Sequence, residues 1–291
     1  MQLKAWSYQC SKGFTLRGWH TPPTGKALVH FVHGNGFCGL TYSPLLKLLS
    51  EHFDLWISDL QGHGLSDAGE QFYGWNAAAD LALEAFAAHG LFEDVPRYAL
   101  GHSLGGVVSA LMVSQAPKRF NALVMLDPVL FTHKILWFKT LLNLVGKKER
   151  LPMVQAALKR RSRWESAAAA KAALSGRGIY RGWREEALDA FIEHALKPLS
   201  TGEVELRCAP RLEADIFASS PKGLWPALKR ISIASRLIYG AQTYPFVGQA
   251  AQALARCNAN VSTQVTPGGH CFMQEYPEQA AKDVLSFLQA L

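Results

Sequence analysis

Cysteine is scarce in this chain and never clustered. Cys10, Cys38, Cys208, Cys257 and Cys271 are odd in number and form no C-x-x-C pair. That argues against a disulfide framework and a cysteine zinc site, and favours a reducing compartment. No apolar run approaches the length of a membrane span. The opening residues MQLKAWSYQCSKGF hold no apolar signal-peptide segment, so a cytoplasmic location is expected. There is no H-E-x-x-H, and His30 and His33 make a poor metal pair; neither a metal nor a cofactor is implied. A nucleic-acid-binding motif and a basic-aromatic repeat are both missing, so nucleic acid is not an expected partner. From Ile216 to Gln274 the chain has neither aspartate nor glutamate. Any carboxylate the chemistry needs must come from elsewhere.

What is present suits a compact domain. The chain has 291 residues, 49% of them hydrophobic and 18% charged, enough apolar content for a large core. The net charge of +7 is uneven. Residues 129–230 hold 19 of the 30 Lys+Arg and 10 of the 23 Asp+Glu, a net of +9, leaving −2 for the rest. The run KRRSR, residues 159–163, belongs to this segment and reads as a solvated helix face. Attraction of an anionic substrate or surface is the sharper alternative.

Strands and helices alternate. KAWSYQC and FTLRGWH suggest a hairpin. ALVHFVHG, FDLWISDL, RYALGHS and NALVMLDP read as buried strands, and helices separate them. Strands apolar throughout, spaced by helices, predict a mostly parallel twisted sheet covered by helices on both faces, with the hairpin as its antiparallel edge. After Pro128 the pattern offers helices only, until SRLIYGAQ and ANVSTQVT restore the strand rhythm. The expected division is a core of residues 1–128 and 231–291 with a helical cap insertion at 129–230. Within that insertion FTHKILWFKTLLNLVGKK is apolar with lysines at its borders. It is expected to pack over the active site; contact with a lipid surface is the less favoured reading.

The chemistry-bearing stretch is YALGHSLGG, residues 98–106. Gly101-His102-Ser103-Leu104-Gly105 is G-x-S-x-G between a predicted strand and a predicted helix, the context that motif requires. Small residues on either side allow the sharp turn, and the helix N-terminus behind Ser103 supplies backbone N–H groups and a positive dipole end. Earlier, HFVHGNGFCG admits two readings. Gly34, Gly36 and Gly39 have dinucleotide-turn spacing, while His-Gly-x-Gly also suits a loop that offers N–H groups to an oxyanion. A hairpin before it and a second elbow at Ser103 disfavour the nucleotide reading, although Asp59 after the next strand is what a nucleotide fold would want.

With HFVHGNGF, ISDLQGHGLSD, ALGHSLGG, RLIYG and TPGGHCF, the chain resembles the α/β-hydrolase superfamily. The resemblance implies that the N–H groups of Asn35 and Leu104 form an oxyanion hole. It implies that His270, in the Gly-rich loop after the last strand, is the base, and that His33 and His63 are structural. His102 is taken as the variable residue of the elbow. Thr243 stands where that family usually has its acid. Asp127, ending the preceding strand, is the expected replacement, as in some members, because parallel strands end on one side. Glu213 and Asp215 are reserves. The sequence therefore predicts a serine hydrolase cleaving an ester or thioester of a small to medium apolar acid through an acyl-enzyme, with Ser103, His270 and Asp127 as the triad. The alternatives are carbon–carbon bond hydrolysis and a non-catalytic ligand-binding protein. The expected partner is a small-molecule ester-type substrate; no oligomeric state follows.

Overall fold

The buried apolar runs become the centre of one sheet. The computed structural model describes all residues, Met1–Leu291. Its first part runs β1 (Lys4–Gln9), β2 (Thr15–His20), β3 (Leu28–Val32), α1 (Ser43–Leu49), β4 (Asp54–Asp59), α2 (Trp75–His89), β5 (Arg97–His102), α3 (Leu104–Gln115) and β6 (Ala122–Leu126). Then come α4 (His133–Leu144), α5 (Pro152–Leu158), β7 (Arg163–Trp164), α6 (Ala167–Leu174), α7 (Glu185–Ala195), β8 (Leu196–Pro198), β9 (Val204–Leu206), α8 (Pro210–Ala218) and α9 (Leu224–Lys229). β10 (Ala234–Gly240), α10 (Pro245–Cys257), β11 (Val261–Thr266), α11 (Phe272–Glu275) and α12 (Pro277–Leu288) close the chain.

The eight-stranded sheet has the order β1-β2-β4-β3-β5-β6-β10-β11. Only the β1–β2 and β2–β4 pairings are antiparallel; all pairings from β4 to β11 are parallel. β3, β4 and β6 are buried at every residue, as strands covered on both faces must be. Their side chains alternate between two apolar layers. Val29 and Phe31 pack in one layer with α1, α7 and α12 side chains. Val32 packs in the other with α2, α3, α9 and α10.

The sequence pattern predicts helices only between β6 and β10, and the structure departs from that. β7, β9 and β8 form a separate antiparallel sheet. Strands of two or three residues are too short to show a period of two. For the same reason KRRSR is not a helix face: α5 stops at Leu158 and Arg163 opens β7. Arg163 and Lys197 there flank Glu205, at 3.6 and 3.3 Å. The two ends of this excursion meet. The Trp225 indole N–H donates to the Phe131 carbonyl at 3.0 Å, and the Trp75 indole N–H donates to Ser219 Oγ at 2.9 Å. No helix is long and apolar enough to cross a membrane, and all five cysteines are unpaired.

Candidate active site

Ser103 occupies the junction of β5 and α3 with φ 55° and ψ −115°. That left-handed conformation is costly for a residue with a Cβ. Close packing imposes the turn. A Cβ on Gly101 would collide with the Gly105 carbonyl, and one on Gly105 with the carbonyls of Val32 and His33. Only glycine lets the elbow sit this near β3. The Ser103 N–H donates to the Leu126 carbonyl at 3.0 Å, tying the elbow to β6.

Asp127 directly follows β6 and is the other non-glycine residue at positive φ, 43°. Its N–H reaches the Ile238 carbonyl at 2.7 Å, so β10 holds its backbone. The side chain is fully buried and accepts from the Gly240 N–H at 2.8 Å and the Thr243 hydroxyl at 2.5 Å. Thr243 is therefore no mere vacancy: its hydroxyl is bonded to the Asp127 carboxylate.

His270 lies in the turn between β11 and α11. Gly269 N–H donates to the Glu275 carboxylate at 3.0 Å, and Gly268 N–H to Gln242 Oε1 at 3.0 Å. These contacts fix the loop, and burial raises the Glu275 pKa. His270 Nδ1 is 2.7 Å from Asp127 Oδ1, and its Nε2 is 3.0 Å from Ser103 Oγ. Because a carboxylate faces Nδ1, that nitrogen carries the proton, and Nε2 accepts from the serine hydroxyl. The three residues that the sequence singles out thus form one unbroken hydrogen-bonded line.

His102 and Tyr42 support this line in a way the sequence conceals. His102 Nε2–H donates to the His270 carbonyl at 2.9 Å. Its Nδ1 then accepts from the Tyr42 hydroxyl at 2.6 Å, whose oxygen accepts from the Gly34 N–H at 3.1 Å. One chain of bonds links the loop after β3, the elbow and the histidine loop. Burial, then the neighbouring His270, hold His102 well below the ordinary imidazole range, so it stays neutral and its tautomer stays fixed. It is more than a variable elbow position.

Asn35 lines the cavity in front of Ser103, and its N–H donates to no protein acceptor. Leu104 is the first residue of α3, where a backbone N–H lies outside the helical ladder. His33 and His63 bond backbone. His33 Nε2 accepts from Leu60 N–H at 2.9 Å, and His63 Nε2 from Gly36 N–H at 3.0 Å. Asp59 accepts from the Gly39 and Leu65 N–H groups; burial pushes its pKa up to about 6. The reserve acids go elsewhere. Glu213 pairs with Arg160 at 2.6 Å, and Asp215 with Arg211 at 3.2 Å. No group of three or more His, Cys, Asp and Glu is gathered as a metal site would need.

Ser103 and His270 open into a cavity of about 490 Å³. Its walls are mostly apolar, with Phe37, Val129, Trp164, Ile179, Phe217 and Phe246 among them. α5, the following loop and the connection from α6 to α7 roof it. Contrary to expectation, no residue of α4 lines it. One face of α4 points outward instead, leaving Trp137 70% and Leu144 78% exposed, while Lys139 is drawn inward to carbonyls at the end of α8.

The Alpha/beta hydrolase family model matches residues 31–283. A monoglyceride lipase of Rattus norvegicus is 30% identical over 40% of this chain and 40% of the lipase, so the match spans well under two thirds of that relative. A 2-(acetamidomethylene)succinate hydrolase of Mesorhizobium japonicum is 26% identical over 90% of this chain and 88% of its own. The crystal structure of an E-2-(acetamidomethylene)succinate hydrolase superposes with a TM-score of 0.78 at 23% identity, covering 99% of this chain and 100% of that one. The superposition speaks to the fold alone.

Proposed function

The chain belongs to the alpha/beta hydrolase family, and from that premise we propose that it is a serine hydrolase cleaving an ester or thioester of a small to medium apolar acid. The observation that carries this reading is the line Ser103–His270–Asp127, at 3.0 and 2.7 Å, opening into an apolar cavity. His270 Nε2 takes the proton as Ser103 Oγ attacks the carbonyl carbon. The Asp127 carboxylate holds the Nδ1–H tautomer and stabilises the imidazolium that forms. The Asn35 and Leu104 N–H groups receive the developing oxyanion, a contribution of about 10²–10³ in rate per donor in known cases. His270 then gives its proton to the leaving group, and a water it activates releases the acid from Ser103.

The proposed division of labour follows chain order. Residues 1–128 and 231–291 form the core that supplies all five groups. Residues 129–230 form the cap that shapes the cavity.

A fluorophosphonate probe tests the reading. It should label the wild-type chain at Ser103 and leave Ser103→Ala unlabelled, and Ser103→Ala should lose hydrolysis of p-nitrophenyl esters. An unlabelled wild type would favour a non-catalytic binding protein. Labelling without turnover of any ester or thioester would move the reading to carbon–carbon hydrolysis.

A further inference from the structure

The cavity is apolar in its walls and cationic at its rim. Three arginines of the cap line it, Arg160, Arg161 and Arg177, against one carboxylate, Glu213. That carboxylate is already used. Arg160 Nη1 is 2.6 Å from Glu213 Oε2, and its Nη2 donates to the Tyr180 hydroxyl at 2.5 Å. Arg160 therefore builds the wall, and its charge is met.

The other two are different. Arg161 spends only its Nε–H, on the Arg163 carbonyl at 2.8 Å, and lies 5.6 Å over the Trp164 ring. Stacking on Trp164 restricts the side chain and leaves both terminal nitrogens without a carboxylate. Arg177 makes no side-chain hydrogen bond, ion pair or ring contact, and is exposed. Two unpaired guanidinium groups thus stand on the same cavity as Ser103 and His270. Each presents a planar fork suited to two oxygens of one anion. With Glu213 neutralised by Arg160, no lining acid opposes an approaching anion.

We propose that Arg161 and Arg177 bind an anionic group, carboxylate or phosphate, at the far end of the substrate from the bond cleaved. This rests on the serine-hydrolase reading and narrows its substrate class to amphipathic esters: apolar in the middle and anionic at one end. The anion could be carried by the acyl chain, as in a dicarboxylic acid monoester, or by the leaving group, as in a phosphorylated thiol.

Two pairs of substrates separate these sources. On the acyl side, mono-p-nitrophenyl esters of dicarboxylic acids are compared with their methyl-capped neutral counterparts. On the leaving side, acyl-coenzyme A is compared with the same acyl group on N-acetylcysteamine. In one pair, kcat/KM should favour the anionic member by on the order of 10–100-fold, as charge-assisted hydrogen bonds allow. Arg161→Gln/Arg177→Gln should collapse that ratio towards one. Lys118→Gln/Arg119→Gln removes the same charge from exposed positions beyond the far end of α3 and should keep it.

A ratio near one in both pairs, or a preference that survives Arg161→Gln/Arg177→Gln, overturns the proposal. In either case, labelling of Ser103 and turnover of the neutral esters would show that the serine-hydrolase reading stands. An unlabelled chain that turns over nothing would instead mean that the underlying reading has failed.

Discussion

At the residue scale, the strain is concentrated where the chemistry is proposed. Ser103 and Asp127 are the only non-glycine residues at positive φ, a conformation that costs of order 1–3 kcal/mol apiece. Aspartate and asparagine tolerate it better than most side chains, so Asp127→Asn should remain folded. Its amide oxygen can keep the Gly240 N–H, but the amide NH₂ then faces His270 and stabilises the wrong tautomer. We expect kcat to fall by about 10⁴, as the same change does in a well-studied serine protease triad. Adding Thr243→Asp should restore part of the rate, because Thr243 Oγ1 already lies 2.5 Å from the Asp127 carboxylate. Near-normal kcat in purified Asp127→Asn would remove Asp127 from the mechanism. Ser103 was legible because a local motif dictates its turn. Asp127 is legible from the lack of any acid between Ile216 and Gln274 together with its place at the end of a parallel strand. The bonds of Thr243 and His102 join residues 116 and 168 positions apart, and no local pattern encodes them.

At the element scale, the long apolar strands and the alternating helices were readable; the short strands β7 to β9 and the aspect of α4 were not. The sequence of α4 is apolar, but which stripe turns inward depends on its neighbours. Lys139 is the inward residue. Its ammonium donates to the Phe217 and Ser219 carbonyls at 2.9 and 2.6 Å and lies 4.0 Å over the Phe131 ring. No carboxylate pairs with it, and burial lowers its pKa to about 7. The folded pKa is depressed below the unfolded value of about 10.4. Between those limits the unfolded chain holds a proton that the native one has released, so stability rises with pH across that window. The slope is at most about 1.4 kcal/mol per pH unit. Buried Cys38, Cys208 and Cys271, whose thiols burial pushes up, oppose this gain above about pH 8.5. The test is therefore a difference: between pH 7 and pH 9.5, urea titrations should show the wild type gaining stability relative to Lys139→Met. Equal pH dependence in both chains would mean that Lys139 stays charged and hydrated.

At the scale of the whole molecule, four neutral imidazoles are built into the core. His30, His33, His63 and His102 are all fully buried. Burial lowers His30 to about 3 and His63 to about 4, and holds His33 and His102 well below the usual range. Below pH 6.5 the unfolded chain takes up protons at these positions that the native chain refuses, so stability falls as pH falls. Asp59, raised to about 6, works in the opposite direction between about 6 and 3.9. Glu275, also raised by burial, acts with Asp59, and four groups against two leave a loss on the order of 3 kcal/mol per pH unit. A total stability of about 5–15 kcal/mol would be consumed within a few units. Tryptophan fluorescence and far-UV circular dichroism should therefore report cooperative unfolding above pH 4. A native spectrum persisting at pH 3.5 would show that the imidazoles find water in the fold.

The chain leaves the sheet after Leu126 and returns to it at Ala234, and Phe131 and Trp225, near the two ends of that detour, are one hydrogen bond apart. A detour that starts and finishes at a single spot can be exchanged without rerouting any strand. On the proposed division, every group that breaks the bond lies outside the detour, and both arginines that would choose the anion lie inside it. Reactivity and appetite are then separately heritable, and a lineage could change its diet by trading one continuous stretch of gene.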